Sequence, residues 1–231
     1  MKVILGILLG LFLAIGIAAA AFFVAGGEMG DVGERDKSKD VREVFDLQAF
    51  DAITVEGVYE IDVVVGADYR IEILGAPAEM AVAEITVEDG VLRLGQKRRG
   101  ERGQRRWRDR GLTAEISVPT LRRISAAGVA DGEITGVDAE TFEANLSGVG
   151  DLDIAGTCGA LVASVSGVGD LDASDLKCAD VDVTVSGVGD ASVHATASVD
   201  ASVNGVGSID VYGSPVDVEK SGGFLSSITI H

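Results

Sequence analysis

Asp131, Asp151, Asp170 and Asp190 recur at intervals of 20, 19 and 20 residues, and Asp153, Asp172 and Asp210 form a second set in the same phase. Carboxylates spaced this evenly suit two chemistries. Oxygen-rich sites hold hard divalent cations, which makes Asp151, Asp170 and Asp190 the candidate metal ligands. Paired carboxylates on one wall also serve glycan cleavage. The alternative is that each carboxylate is solvated or accepts a hydrogen bond from a nearby turn N–H. The calcium-binding Gly-Gly-x-Gly-x-Asp repeat has a shorter period. Here the aspartate directly follows the second glycine, so the register differs from a calcium loop.

A second concentration of charge lies at 97–110 (KRRGERGQRRWRDR), with eight basic and two acidic residues in a chain of net charge −18. The remaining residues therefore sum to −24. Arg98, Arg99, Arg102, Arg105, Arg106 and Arg108, with Trp107 as an interfacial anchor, are candidate contacts for an anionic lipid headgroup, an acidic glycan or an acidic protein. The alternative is a loop drawn to the acidic wall of its own chain. The overall negative charge and expected export argue against nucleic acid as a partner. Cys158 and Cys178, the only cysteines, share the aspartates' interval and are a candidate disulfide pair. His194 and His231 are too few for a zinc site. No Ser-His-Asp set and no cofactor motif is evident, so neither catalytic residues nor a cofactor is expected.

The elements that position these residues repeat. A Ser-Gly-Val-Gly-Asp motif occurs at Ser147–Asp151, Ser166–Asp170 and Ser186–Asp190, with a variant at Asn204–Ser208. The paired turn glycines are Gly148 and Gly150, Gly167 and Gly169, Gly187 and Gly189, and Gly205 and Gly207. A degenerate copy begins at Gly128, and a further one is expected at Gly222. Two residues before the first glycine stand Leu146, Val165, Val185 and Val203; four before stand Ala144, Ala163, Val183 and Ala201. Polar residues hold the positions between, which is the period-two pattern of a strand with one buried face. A unit of about 19 residues cannot bury its own apolar face, but stacked units can. Stacking into a parallel β-helix sets equivalent residues ~4.8 Å apart. Cys158 and Cys178, each nine residues before a turn glycine, then become neighbours within disulfide reach.

The chain divides into an apolar segment over 1–27, a charged linker over 28–42 and a β-helix domain over 43–231. Within that domain, 43–125 forms irregular first rungs and a cap, and 126–223 forms the regular repeats. Asp89-Gly90 predicts a hairpin turn between Ile85–Glu88 and Val91–Leu94. The uncharged run Val3–Gly27 is long enough for a helix that spans a bilayer. Its length favours an uncleaved anchor, while Ala18–Ala21 offers a signal-peptidase site as the alternative. Either reading places the rest of the chain outside the cytoplasm, membrane-anchored or released to the periplasm or medium.

Phe50–Gly66 (FDAITVEGVYEIDVVVG), Ile85–Leu94, Ile116–Ile124 (ISVPTLRRI) and the serial turns ending near Tyr212-Gly213-Ser214-Pro215 together resemble the head GIN domain family of autotransporter-like adhesins, over roughly 43–225. The resemblance implies a right-handed, single-stranded parallel β-helix and supplies no catalytic residue. The short tail after the last rung predicts that the chain carries no membrane barrel. The functional expectation is a non-catalytic, exported cell-envelope solenoid whose surface binds or scaffolds an envelope or cell-surface component: a glycan, a lipid headgroup or a protein. The alternative is a polysaccharide-acting β-helix enzyme, a lyase or a hydrolase. The sequence does not specify the oligomeric state.

Overall fold

The computed structural model describes residues 40–97 and 111–231. The proposed anchor helix and the arginine-rich candidates at 98–110 lie outside the described residues. Among the described residues the fold is an all-β solenoid of fifteen strands in one continuous hydrogen-bonded sheet, with a single short helix, α1 (Pro77–Met80).

The regular part is made of β8 (Arg123–Ala126), β9 (Val129–Leu146), β10 (Leu152–Val165), β11 (Leu171–Val185), β12 (Ala191–Val203) and β13 (Gly207–Gly213), followed by β14 (Asp217–Gly222) and β15 (Ser226–Ile230). β9 to β13 stack in chain order, all parallel. Leu146, Val165, Val185 and Val203 are register partners with no exposed surface. Leu152, Leu171, Ala191 and Ile209 form a second buried file. Alternation along each strand thus becomes columns through a dry core, which the hydrophobic effect stabilises by about 1.5–3 kcal/mol per fully buried large aliphatic chain. Each coil bends again near its middle, where the ladders shift register around Gly156 and between Ala173 and Lys177.

The corner glycines hold these columns in line. Val129, Val149, Val168, Val188 and Val206, one from each of five coils, pair in a single file of parallel bridges at the corner. A Cβ at Gly167 would sit 1.9 Å from the carbonyl oxygen of Gly148, in the coil before. At Gly169 the same clash, 1.9 Å from Gly150 O, is combined with a φ of +145° that side chains disfavour. Gly222 departs from the expected turn. It pairs with Val203, two positions before the turn glycine, and Gly223 N–H donates to Val203 O. Phe224 therefore occupies the glycine's phase, and the corner motif ends with Gly205 and Gly207.

The first part of the domain is stacked out of chain order. β2 (Ala52–Val55) and β3 (Val58–Val65) make a true coil that pairs in parallel with β8 and β9. β6 (Val91–Gln96) and β7 (Leu112–Val118) come later in the chain but lie on the outer side of that coil, again in parallel. β6 ends at Gln96 and β7 begins at Leu112, so the strand pair is broken at the level where other coils turn their glycine corner. Antiparallel strands finish this end: β5 (Ala83–Glu88) on β6 through the Asp89-Gly90 turn, β4 (Arg70–Gly75) on β7, and β1 (Val41–Phe45) on β4. Asp89 (φ 51°) and Gly90 (φ 77°) both take the left-handed conformation that such a two-residue turn requires.

Glu72 on β4 ties this end together. Its carboxylate accepts from Arg70 and Arg42, and Glu115 lies 3.9 Å from Arg42. The Arg70 hydrogen bond, followed by the nearby charge of Arg42, holds the Glu72 carboxyl below its ordinary range against an opposing contribution from desolvation.

Two outcomes are expected. Gly169→Ala combines a strained backbone with a backbone clash, and lowers stability by about 2 kcal/mol or more, measured by denaturant unfolding. Glu72→Gln lowers stability at neutral pH. Because the folded-state pKa of Glu72 is depressed, the wild-type advantage is complete above the ordinary glutamate range and disappears as pH falls through the lowered value. Melting curves recorded across acid pH check this.

Candidate binding walls and acidic grooves

The turn aspartates are fastened to the neighbouring coil. Asp131 Oδ1 accepts the backbone N–H of Asp151 at 3.2 Å, Asp151 that of Asp170 at 2.9 Å, and Asp170 that of Asp190 at 2.8 Å. Asp190 Oδ1 ends the series by accepting both the N–H and the hydroxyl of Ser208, at 2.6 and 2.7 Å. One oxygen of each carboxylate is thereby used in joining coils, which relieves the repulsion of like charges stacked a coil apart. These aspartates stand in a line, one per coil, rather than around a point. Among the described residues no group of three or more His, Cys, Asp or Glu side chains is arranged to hold a metal ion.

The second acidic column runs Asp62, Glu133, Asp153, Asp172, Ser192 and Asp210 in register. Beside it lies a shallow groove of about 230 Å³ lined by Glu133, Thr135, Asp153, Asp172 and Asp175. Burial, and then the charges of Asp172 and Asp151, raise the Asp153 carboxyl above its ordinary value. On another wall a groove of about 420 Å³ runs across β10, β11, β12 and β14. Its floor includes Leu161, Val181 and Val199, and its walls carry Asp180, Asp182, Asp200, Asp217 and Glu219 without a basic side chain. Ser198 Oγ donates to Asp180 Oδ1 at 2.6 Å. Carboxylates and hydroxyls repeated at coil spacing can accept hydrogen bonds from hydroxyl or amine groups and attract cations diffusely. An acid–base cleavage site instead needs carboxyl groups converging on one bond.

Cys158 and Cys178, register partners on β10 and β11, are joined by a disulfide across a Cα–Cα distance of 4.5 Å and a sequence separation of 20. Closing a loop of this length contributes about 3 kcal/mol in the chain-entropy description. His194 stands between buried Val193 and Ala195 and is partly exposed, facing out of the coil. One arrangement is invisible in the sequence: His231 stacks on Tyr212, with ring centroids 4.8 Å apart, and its Nε2 lies 3.0 Å from Asp210 Oδ1. The two histidines are in different coils and do not form a joint site.

Asp153→Asn is expected to raise stability at neutral pH slightly, by under about 1 kcal/mol because solvent screens the exposed carboxylate. A raised folded-state pKa means that the folded protein holds the proton more tightly, so the ionised group is destabilising above that pKa. The gain of the variant therefore vanishes as pH drops below the aspartate range, as paired thermal melts would register.

No curated protein matches the chain in sequence. Among solved structures, a "putative adhesin" from Bacteroides fragilis superposes with a TM-score of 0.68 at 26% identity, covering 86% of this chain and 100% of its own. A "putative adhesin" from Parabacteroides merdae gives a TM-score of 0.52 at 16% identity, covering 84% and 96%. Another, from Parabacteroides distasonis, gives 0.52 at 17%, covering 84% and 97%. These last two share the fold alone. The sequence profile described as "putative auto-transporter adhesin, head GIN domain" matches residues 49–215, a span that holds the glycine corners and the stacked strands β2 to β13, and the chain belongs to the head GIN domain family.

Proposed function

We propose that this protein is a non-catalytic, extracytoplasmic binding surface of the cell envelope, built as a right-handed parallel β-helix and held at the membrane by its apolar segment over 1–27. The observation that carries the reading is the repetition of outward-facing groups. Asp182, Asp200 and Glu219 follow one another in register, as do Asn145, Ser164, Thr184 and Ser202. A repeated array suits an extended or multivalent partner, since each coil adds an equivalent weak contact. The adhesin designation of the family and of its structural neighbours supports the same role. The disulfide between Cys158 and Cys178 fits an oxidising compartment.

Two surfaces of opposite sign divide the work. The acidic walls engage hydroxyl-rich or cationic envelope material. The arginine-rich stretch, with Arg98, Arg99, Arg102, Arg105, Arg106, Arg108 and Trp107, engages anionic headgroups or acidic glycan. The groove walled by Asp180, Asp182 and Asp200 is where a glycan-cleaving activity would reside. The full chain is expected to bind envelope fractions or glycans without producing new reducing ends or unsaturated sugars. Asp182→Asn combined with Asp200→Asn weakens binding to neutral or cationic material, and deletion of 98–110 removes binding to anionic vesicles. Binding untouched by all of these changes, or product released with turnover, would reject the reading.

A further inference from the structure

The two ends of the solenoid are finished differently. At the end formed early in the chain, the last strands are antiparallel and charged. β1 (VREVF) carries Arg42 and Glu43, and β5 (AEITVE) carries Glu84 and Glu88. Charged side chains on edge strands discourage pairing with another chain. At the other end, β15 (SSITI) has no charged residue and no proline. It pairs only with β13, and β14 pairs only with β12.

Among the described residues, no strand pairs with the far side of β15. His231 N–H donates to Val211 O. Successive residues of a strand direct their backbone groups to opposite sides, so Ser227 and Thr229 also face β13. Ser226, Ile228 and Ile230 consequently direct N–H and C=O groups away from the solenoid. One of these outward acceptors is taken within the molecule: Lys220 Nζ donates to Ile228 O at 3.5 Å. Among the described residues nothing covers the core there either: Val218 tops the column of Val199, and Ile228 and Ile230 top those of Ile209 and Val211. The surrounding loops expose Val216 (85%), Leu225 (65%) and Phe224 (101%).

We propose that this end is a self-association surface, at which β15 of one molecule pairs antiparallel with β15 of a second copy about a two-fold axis. The inference is independent of the binding role assigned to the outer walls. A second copy fits for two reasons. A two-fold axis brings identical edges together with the outward N–H groups of Ser226, Ile228 and Ile230 opposed to outward carbonyls, Lys220 giving up its hold on Ile228 O as the copies pair, and each copy's Ile228 and Ile230 cover the other's core end. Charge agrees. The chain carries −18, yet between Gly213 and His231 the charged side chains are only Asp217, Glu219 and Lys220, apart from the histidine itself. This is where two acidic molecules approach with little repulsion. A coil ~60 Å around encloses an end of roughly 300 Å², so two flat ends bury about 600 Å², to which the exposed Phe224 and Leu225 of both copies add. That area is at the low end for association and gives a reversible dimer.

The test is the molar mass of the full chain by light scattering in a mild detergent, across a concentration series from about 1 to 100 μM. The expected result is a reversible change from one copy to two. Ile228→Pro, which removes an outward N–H, and separately the pair Phe224→Asp with Leu225→Asp, weaken association at least about tenfold. Val149→Lys on the distant corner leaves association unchanged, and circular dichroism confirms that all variants are folded. A chain that stays single throughout the series overturns the proposal. So does a dimer that survives in every folded edge variant, because another surface then holds it.

Discussion

Backbone contact between successive coils is the constraint on which the rest of the structure depends. At the corners the coils approach so closely that a single added carbon at Gly148, Gly167, Gly187 or Gly205 would lie about 2 Å from a carbonyl oxygen of the adjoining coil. This proximity lets Val149, Val168, Val188 and Val206 continue the ladder around the bend. It also keeps Leu146, Val165, Val185 and Val203 aligned inside. The aliphatic core and the hydrogen-bonded corner thus enforce one register, and a slip of one residue would turn every buried side chain outward.

The same register builds the outer walls. Whatever type of residue occupies a given position in one coil is carried next to its counterpart in the following coil, so a substitution pattern in the sequence becomes a stripe on the surface. The aspartates show how such a stripe is tolerated. Asp151 and Asp170 each spend one oxygen on the next coil's N–H and leave the other for solvent or a partner. Asp153 is partly desolvated and lies near like charges, and its proton affinity rises accordingly. Structure and surface chemistry are therefore coupled through the repeat length.

Much of this was legible because a local rule repeats. The Gly-Val-Gly corners and the alternation flanking them predict both the buried files and the proximity of Cys158 to Cys178. The turn at Asp89-Gly90 was readable from two residues whose conformational preference is strong. Other features carried no local signal. The stacking of β7 outside β3 depends on pairings between segments far apart in the chain, and both strands show the same alternation whichever coil they cover. Gly222 looked like another corner because glycine alone does not reveal its phase. The 420 Å³ groove arises from Asp180, Asp182, Asp200, Asp217 and Glu219 on three coils, whose nearness follows only once the register is known. His231 joins Tyr212 and Asp210 through the geometry of the final coil, which has no repeat to announce it.

The position of β3 between β7 and β9 has a consequence for how the molecule is made. Every ladder partner of β2 and β3 lies downstream, the nearest being β6 and the furthest reaching Thr135. On a growing chain, β2 waits about forty residues for β6 and β3 about fifty for β7, and the second ladder of each, on β8 and β9, closes about seventy residues after it. Each coil from β10 onward meets a template already built by the residues just before it. The early ladders therefore close over loops two to four times the length of a coil, and pairing at such separations is slow, whereas each later coil closes over a single coil's length.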